Sequence, residues 1–343
     1  MPILFNIARG VLCGALLFAS SAGRAQDRLH PVGLRQIEFV DQDRHLALAM
    51  FYPALRDSGA KPFTMPFFTN LNLLADAPPD LTGAKRPLVV FSHGRGSNGL
   101  SYAWFAEYLA ARGYIVAAIN HYRANTYDSN IAYLANKLWQ RPVDIGLALS
   151  FLLRDEGWKQ AIDANRIGVA GHSQGGFTAL WIGGARVNAE KYLAFQTGWR
   201  NNRMVPEHLR RELPLDPRPA LNVRDDRVKA AFAMAPGIVK AFGMDEAGLR
   251  QMQIPAYITV GARDTQAPPG PNAEFAAKYI PRAELAVIPG LVDHEIFVNE
   301  CNDEGRDEFP EACIDAQGVD RRAIHKSVGD AAIGFFGRWL VAR

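Results

Sequence analysis

The sequence predicts an α/β fold: a mostly parallel central sheet with helices on both faces and a lid-like insertion. Three observations carry that expectation. From Gln26 onward, apolar runs of strand length alternate with segments of helical period, the pattern of parallel strands joined by crossover helices. The run Pro87-Leu-Val-Val-Phe91 is apolar throughout rather than alternating, as a strand buried on both faces is. The chain has 343 residues, 48% hydrophobic and 21% charged, enough to bury a large core.

Residues 35–40 and 46–52 read as two strands of an N-terminal hairpin. Residues 53–86 are rich in Pro, Gly and Asn and read as a long loop. A buried strand at 87–91 leads through a Gly-rich turn to a helix over about 101–112, and the next strand is 114–119. Residues 142–153 have helical period, with Ile145, Leu147, Leu149 and Leu152 available to a core. A strand at 167–170 is followed by a helix at 176–184. Strands at 228–233, 256–260 and 284–288 complete the series, with helices near 272–279 and 323–340. One stretch breaks the alternation. Between residues 184 and 228 the chain is dense in charge, including Arg200, Arg203, Arg210, Arg211, Glu212 and Arg218, and so long a connection is uncommon inside a compact domain. Residues 188–226 are expected to form a cap or lid on one domain spanning 26–343, the alternative being a plain surface excursion.

The first 25 residues stand outside this pattern. Arg9 supplies a positive flank, residues 11–20 a short apolar stretch, and Gly23-Arg24-Ala25 a small-x-small site. That is the build of a secretory signal peptide, so a periplasmic or secreted protein is expected. Cleavage removes Cys13 and leaves Cys301 and Cys313, which are expected to pair as a disulfide in an oxidising compartment. No apolar run reaches the ~18 to 20 residues of a membrane span. Lys plus Arg (38) nearly balance Asp plus Glu (35), and no dense basic run marks a nucleic-acid surface. No nucleic-acid partner is expected.

Gly171-His172-Ser173-Gln174-Gly175 matches G-x-S-x-G between a strand and a helix, the setting of a nucleophile elbow. A serine hydroxyl is a weak nucleophile unless a histidine takes its proton and a carboxylate orients that histidine. Both follow in chain order. Asp264 lies just after the strand at 256–260, and His294 just after the strand at 284–288. Strand carboxyl ends are where open α/β sheets place their sites. Asp293 and Glu295 are the competing carboxylates. An oxyanion needs two donors: the backbone N–H of Gln174, and that of Arg95 in the turn after the strand at 87–91, where Gly94 and Gly96 let the chain bend. His93, His121, His172 and His325 read as hydrogen-bonded structural histidines. No H-E-x-x-H, close Cys pair or Asp-rich calcium loop is present, so neither a metal nor a cofactor is expected.

From about Ile37 to the C-terminus, the chain resembles α/β-hydrolases of the platelet-activating-factor acetylhydrolase and dienelactone-hydrolase-like group. The matching pieces are Phe91-Ser-His-Gly-Arg95, residues 113–121, Arg141-Pro-Val-Asp144, Gly171-His-Ser-Gln-Gly-Gly176, and the Asp264 and His294 turns. The resemblance implies the α/β-hydrolase fold, a Ser173–Asp264–His294 triad, and Arg95 and Gln174 at the oxyanion hole. The activity expected is hydrolysis of a small-molecule, lipid or polyester carboxylic ester through an acyl-enzyme. The rivals are an amide or peptide hydrolase with the same triad, and a catalytically inactive binding module.

Overall fold

A computed structural model of the chain describes residues 29–41, 43–129, 138–203, 207, 210 and 222–342. The expected signal peptide at 1–25 lies outside the described residues, as does much of the 188–226 insertion. Ten strands form one sheet: β1 (Val32–Asp41), β2 (Arg44–Pro53), β3 (Pro62–Phe63), β4 (Leu73–Ala75), β5 (Arg86–Ser92), β6 (Ile115–Asn120), β7 (Ile162–His172), β8 (Val228–Met234), β9 (Ala256–Gly261) and β10 (Ala283–Ile288). Their order is β10-β9-β8-β7-β5-β6-β2-β1-β4-β3.

The six strands from β10 to β6 run parallel, while β2 pairs antiparallel with both β6 and β1. From β5 the chain goes to β6 on one side and then crosses to β7 on the other. That reversal opens a crevice at the carboxyl ends of β5 and β7, where doubly wound sheets bind ligands. The central strands meet the expectation for burial on both faces: Leu88, Val89, Val90, Val116, Ala117 and Val169 have no exposed surface.

Helices cover both faces. The helix Gln174–Ile182 buries almost every side chain, and Phe177 and Trp181 pack edge-on against Phe242. The helix Arg321–Trp339 turns Val328, Ala332, Phe335 and Phe336 inward, the i, i+4, i+7, i+8 stripe of a core-facing helix. Its Phe335 lies 5.8 Å from Tyr257, and Phe336 lies 6.1 Å from Phe232.

Two expectations need correction. The loop at 53–86 contains β3 and β4, which extend the sheet beyond β1. Runs of two and three residues are too short to carry a period, and β4 forms because the edge of β1 offers it hydrogen-bond partners. The helix expected at 142–153 begins at Gln140, and its first turns bury Arg141 and Asp144. Hydropathy reads such residues as solvent-facing, whereas here polar groups of the fold partner the Asp144 carboxylate and Arg141 Nη2. Within the insertion, the helix Ala189–Asn201 docks on the body of the domain. Tyr192 packs 4.8 Å from Phe242, and Lys191 Nζ lies 3.1 Å from Asp245.

Beyond β10 the chain is held from two sides. Cys301 and Cys313 form a disulfide, and closing a loop of that length restricts the unfolded chain by about 3 kcal/mol in the loop-entropy model. His325 stacks on Trp104 at 3.8 Å and donates from Nε2 to the Ile296 carbonyl at 2.7 Å. Burial pushes the His325 imidazole down to about 3, from an ordinary 6.5. Between those values the unfolded chain binds a proton that the native ring refuses. The stability this residue contributes is therefore intact above pH ~6.5 and drains away as the pH falls toward 3. Between pH 7 and 5, wild type should lose about 2 kcal/mol more stability than His325→Gln. Denaturant unfolding at the two pH values checks this, and parallel losses would contradict it.

Candidate active site

Strand β7 ends at His172, and Ser173 follows with φ +56° and ψ −119° before the helix starts at Gln174. Few non-glycine residues adopt a positive φ, and three backbone hydrogen bonds hold this one. Ser173 donates its N–H to Met234 (3.0 Å), and its carbonyl accepts from Phe177 (3.0 Å) and Gly237 (3.1 Å). The flanking glycines are required by contact. A Cβ on Gly175 would stand 1.8 Å from the Ser92 carbonyl oxygen, and one on Gly171 would stand 2.3 Å from that of Gly175. The elbow can lie this close to β5 only without those side chains.

The two other candidates meet beside it. His294 Nδ1 lies 2.7 Å from Asp264 Oδ2, with both residues buried at 2% and 3% exposure. Asp264 Oδ1 also accepts the Ala267 N–H at 2.6 Å, so the carboxylate is clamped in the turn after β9. A carboxylate that accepts from Nδ1–H fixes the tautomer and leaves Nε2 as the basic nitrogen. The competing acids are engaged elsewhere. Asp293 Oδ1 accepts from the backbone N–H of His294 (2.7 Å) and of Thr265 (2.9 Å), capping the short turn His294–Phe297. Burial works against its charge, but these donors hold the Asp293 carboxyl below the usual range. Glu295 accepts from Gln266 Nε2 at 2.9 Å.

Ser173 and His294 share a cavity of about 340 Å³ with Arg95, Tyr102, Gln174 and Ile238. Among the described residues no hydrogen bond joins the Ser173 hydroxyl to the imidazole; catalytic hydrogen bonds commonly tighten only around substrate. Two larger clefts, of about 540 and 580 Å³, lie along residues 288–328 and along β1 and β2. Neither is lined by a serine beside a histidine–carboxylate pair. Gln174 is the first residue of its helix, where the N–H has no intrahelical acceptor, and Arg95 lies in the turn after β5. Both expected oxyanion donors therefore belong to residues lining the cavity that holds Ser173.

A relay of hydrogen bonds runs through this lining. The Gly94 N–H lies 3.3 Å from the Tyr102 hydroxyl, which lies 2.9 Å from His172 Nδ1; His172 Nε2 lies 3.1 Å from the His294 carbonyl. A carbonyl can only accept, so His172 donates from Nε2, and Tyr102 in turn donates to Nδ1. Burial pushes His172 well below its ordinary value, which keeps the ring neutral as the relay requires. Burial likewise pushes the Tyr102 hydroxyl up. The relay was not legible in the sequence beyond the placement of His172 beside Ser173. Among the described residues, no group of three or more His, Cys, Asp or Glu is placed to hold a metal, and no helix is long and apolar enough to cross a membrane.

Comparison with known proteins agrees with this geometry at the level of fold. Residues 74–138 match the family model of platelet-activating factor acetylhydrolase, isoform II. Platelet-activating factor acetylhydrolase from Cavia porcellus is 32% identical over 139 residues, 29% of this chain and 32% of that protein. The Bos taurus enzyme is 30% identical over 142 residues, with the same coverage. The chain thus spans about a third of the length of these relatives. Among solved structures, a ferulic acid esterase from Streptomyces cinnamoneus superposes with a TM-score of 0.59 at 20% identity, covering 93% of this chain and 92% of that one. Dienelactone hydrolase from Anabaena variabilis gives 0.52 at 16% identity, covering 91% and 100%. The chain has the α/β-hydrolase fold, and its segment 74–138, from β4 through the Arg95 turn and β6, is similar to the platelet-activating factor acetylhydrolase, isoform II family.

Proposed function

We propose that the protein is an exported serine hydrolase that cleaves carboxylic esters through an acyl-enzyme. Ser173 Oγ attacks the carbonyl while His294 Nε2 takes its proton, and Asp264 holds the imidazolium that results. The N–H groups of Arg95 and Gln174 receive the oxyanion. His294 then returns the proton to the leaving alcohol, and water repeats the sequence to release the acid. The observation that carries this reading is the pairing of a serine held at φ +56° on a strand-to-helix elbow with a histidine whose Nδ1 is held by a buried carboxylate. The likeness to acetylhydrolases and to a ferulic acid esterase favours an ester over other acyl compounds. A cavity of about 340 Å³ is at the small end of ligand sites, which suits a compact acyl group with the alcohol extending outward. Residues 1–25 are the signal peptide, and 188–226 caps the domain.

One preparation tests the export and the ester preference. The full chain is expressed with its leader, the mature N-terminus is read by mass spectrometry, and the product is assayed on p-nitrophenyl esters from acetate to palmitate beside an anilide. Expected are a start at Gln26 and turnover of short esters far above the anilide. An intact leader would refute export, and preferred anilide cleavage would make the protein an amidase.

A further inference from the structure

Beneath the Arg95 turn lies a second Ser–His–Asp chain. Ser92 Oγ is 2.8 Å from His121 Nε2, and His121 Nδ1 is 3.0 Å from Asp144 Oδ2. All three residues are at most 1% exposed, so no substrate reaches the Ser92 hydroxyl, and the chain is not a second nucleophile. Two residues bonded to this chain, Arg141 and His93, grip the backbone of the turn instead. Arg141 donates to the His93 carbonyl and, at 3.3 Å, to Ser92 Oγ. His93 Nδ1 lies 2.7 Å from the Gly94 carbonyl, and His93 Nε2 accepts the His121 N–H at 3.3 Å. Because the Gly94 carbonyl can only accept, His93 carries its proton on Nδ1.

In a planar trans peptide, the C=O of one residue and the N–H of the next point in opposite directions, and no peptide bond among the described residues is cis. With the His93 carbonyl drawn inward by Arg141, the Gly94 N–H faces the other way, onto the Tyr102 hydroxyl. The next peptide obeys the same rule. With the Gly94 carbonyl drawn inward by His93, the Arg95 N–H is turned away from the buried side.

We infer that His93 and Arg141, which do not line the cavity, are positioning residues that aim the Arg95 N–H by holding the carbonyls of residues 93 and 94 from behind. This rests on the ester-hydrolase reading above. An oxyanion donor acts only when it is already oriented where the charge develops, so loosening this grip lowers kcat and leaves ground-state binding alone. Burial, then the Arg141 charge, push His93 well below its ordinary value, so the ring stays neutral and its one proton sits on Nδ1, facing the Gly94 carbonyl.

Two near-isosteres separate aiming from packing. Asn at position 93 reproduces the Nδ1 donor to the Gly94 carbonyl, and Gln reproduces the Nε2 side that meets the His121 N–H. Each loses one ring hydrogen bond, so both should lower the melting temperature by similar amounts. With p-nitrophenyl acetate, His93→Asn should keep kcat within about 3-fold of wild type, whereas His93→Gln should lose about 30-fold or more at nearly unchanged KM. Equal kcat losses in the two variants, or none in either, would overturn the inference. Should the His93 variants not fold, Arg141→Lys gives the second readout: a lower kcat at held KM supports the inference, and an unchanged kcat overturns it. Ser173→Ala run alongside separates the two readings. Turnover that does not depend on Ser173 refutes the hydrolase assignment and this inference with it. Turnover that does, with His93→Gln equal to wild type, refutes the aiming role alone.

Discussion

Ser173→Ala is expected to lower ester turnover by about a thousand-fold or more. In the proposed mechanism the substitution removes the one atom that forms the acyl bond and leaves the oxyanion donors and the cavity to supply the residue of the rate. The fold should survive. The three hydrogen bonds that hold the elbow use the Ser173 backbone, and alanine carries the same steric cost at φ +56° as serine does. Steady-state turnover of p-nitrophenyl acetate beside a thermal melt reads both quantities, and a folded variant with near wild-type turnover would remove Ser173 from the mechanism.

Asp264→Asn should cost nearly as much, about a thousand-fold in kcat. An amide in place of Oδ2 can donate to His294 Nδ1, which drives the ring proton to Nε2, where the base must be free. Asp293 offers the contrast. Its Oδ1 accepts from two backbone N–H groups, and an asparagine oxygen can still accept them, so Asp293→Asn should stay within about ten-fold of wild type. Turnover of the two variants on one ester ranks them. A larger loss at position 293 would transfer the acid's role to that residue.

What the sequence disclosed depended on whether a residue acts through its side chain or its backbone. The elbow was legible because its glycines answer a contact: Gly171 and Gly175 lie against backbone carbonyls at distances no Cβ tolerates. The Asp264 and His294 turns were legible from their positions after two strands, since a parallel sheet brings all its carboxyl ends to one edge. Of the elements, β4 was not, because three residues at a sheet edge take their conformation from β1. The network under the Arg95 turn was hidden for a different reason. Arg141 and Asp144 stand on a helix as charged residues do on any solvent face, and only the fold places Arg44, His121 and Ser92 around them. An oxyanion donor is a peptide N–H, which every residue but proline has, so its aim is a property of the packing.

In the proposed chemistry Ser173 becomes covalently acylated with His294 as its base. Labelling the native protein with a fluorophosphonate and mapping the adduct by peptide mass spectrometry tests it most directly. Expected is a single adduct on Ser173, formed at a rate that falls sharply in His294→Ala and absent in Ser173→Ala. An adduct on another residue, or ester turnover that persists after Ser173 is fully labelled, would contradict it.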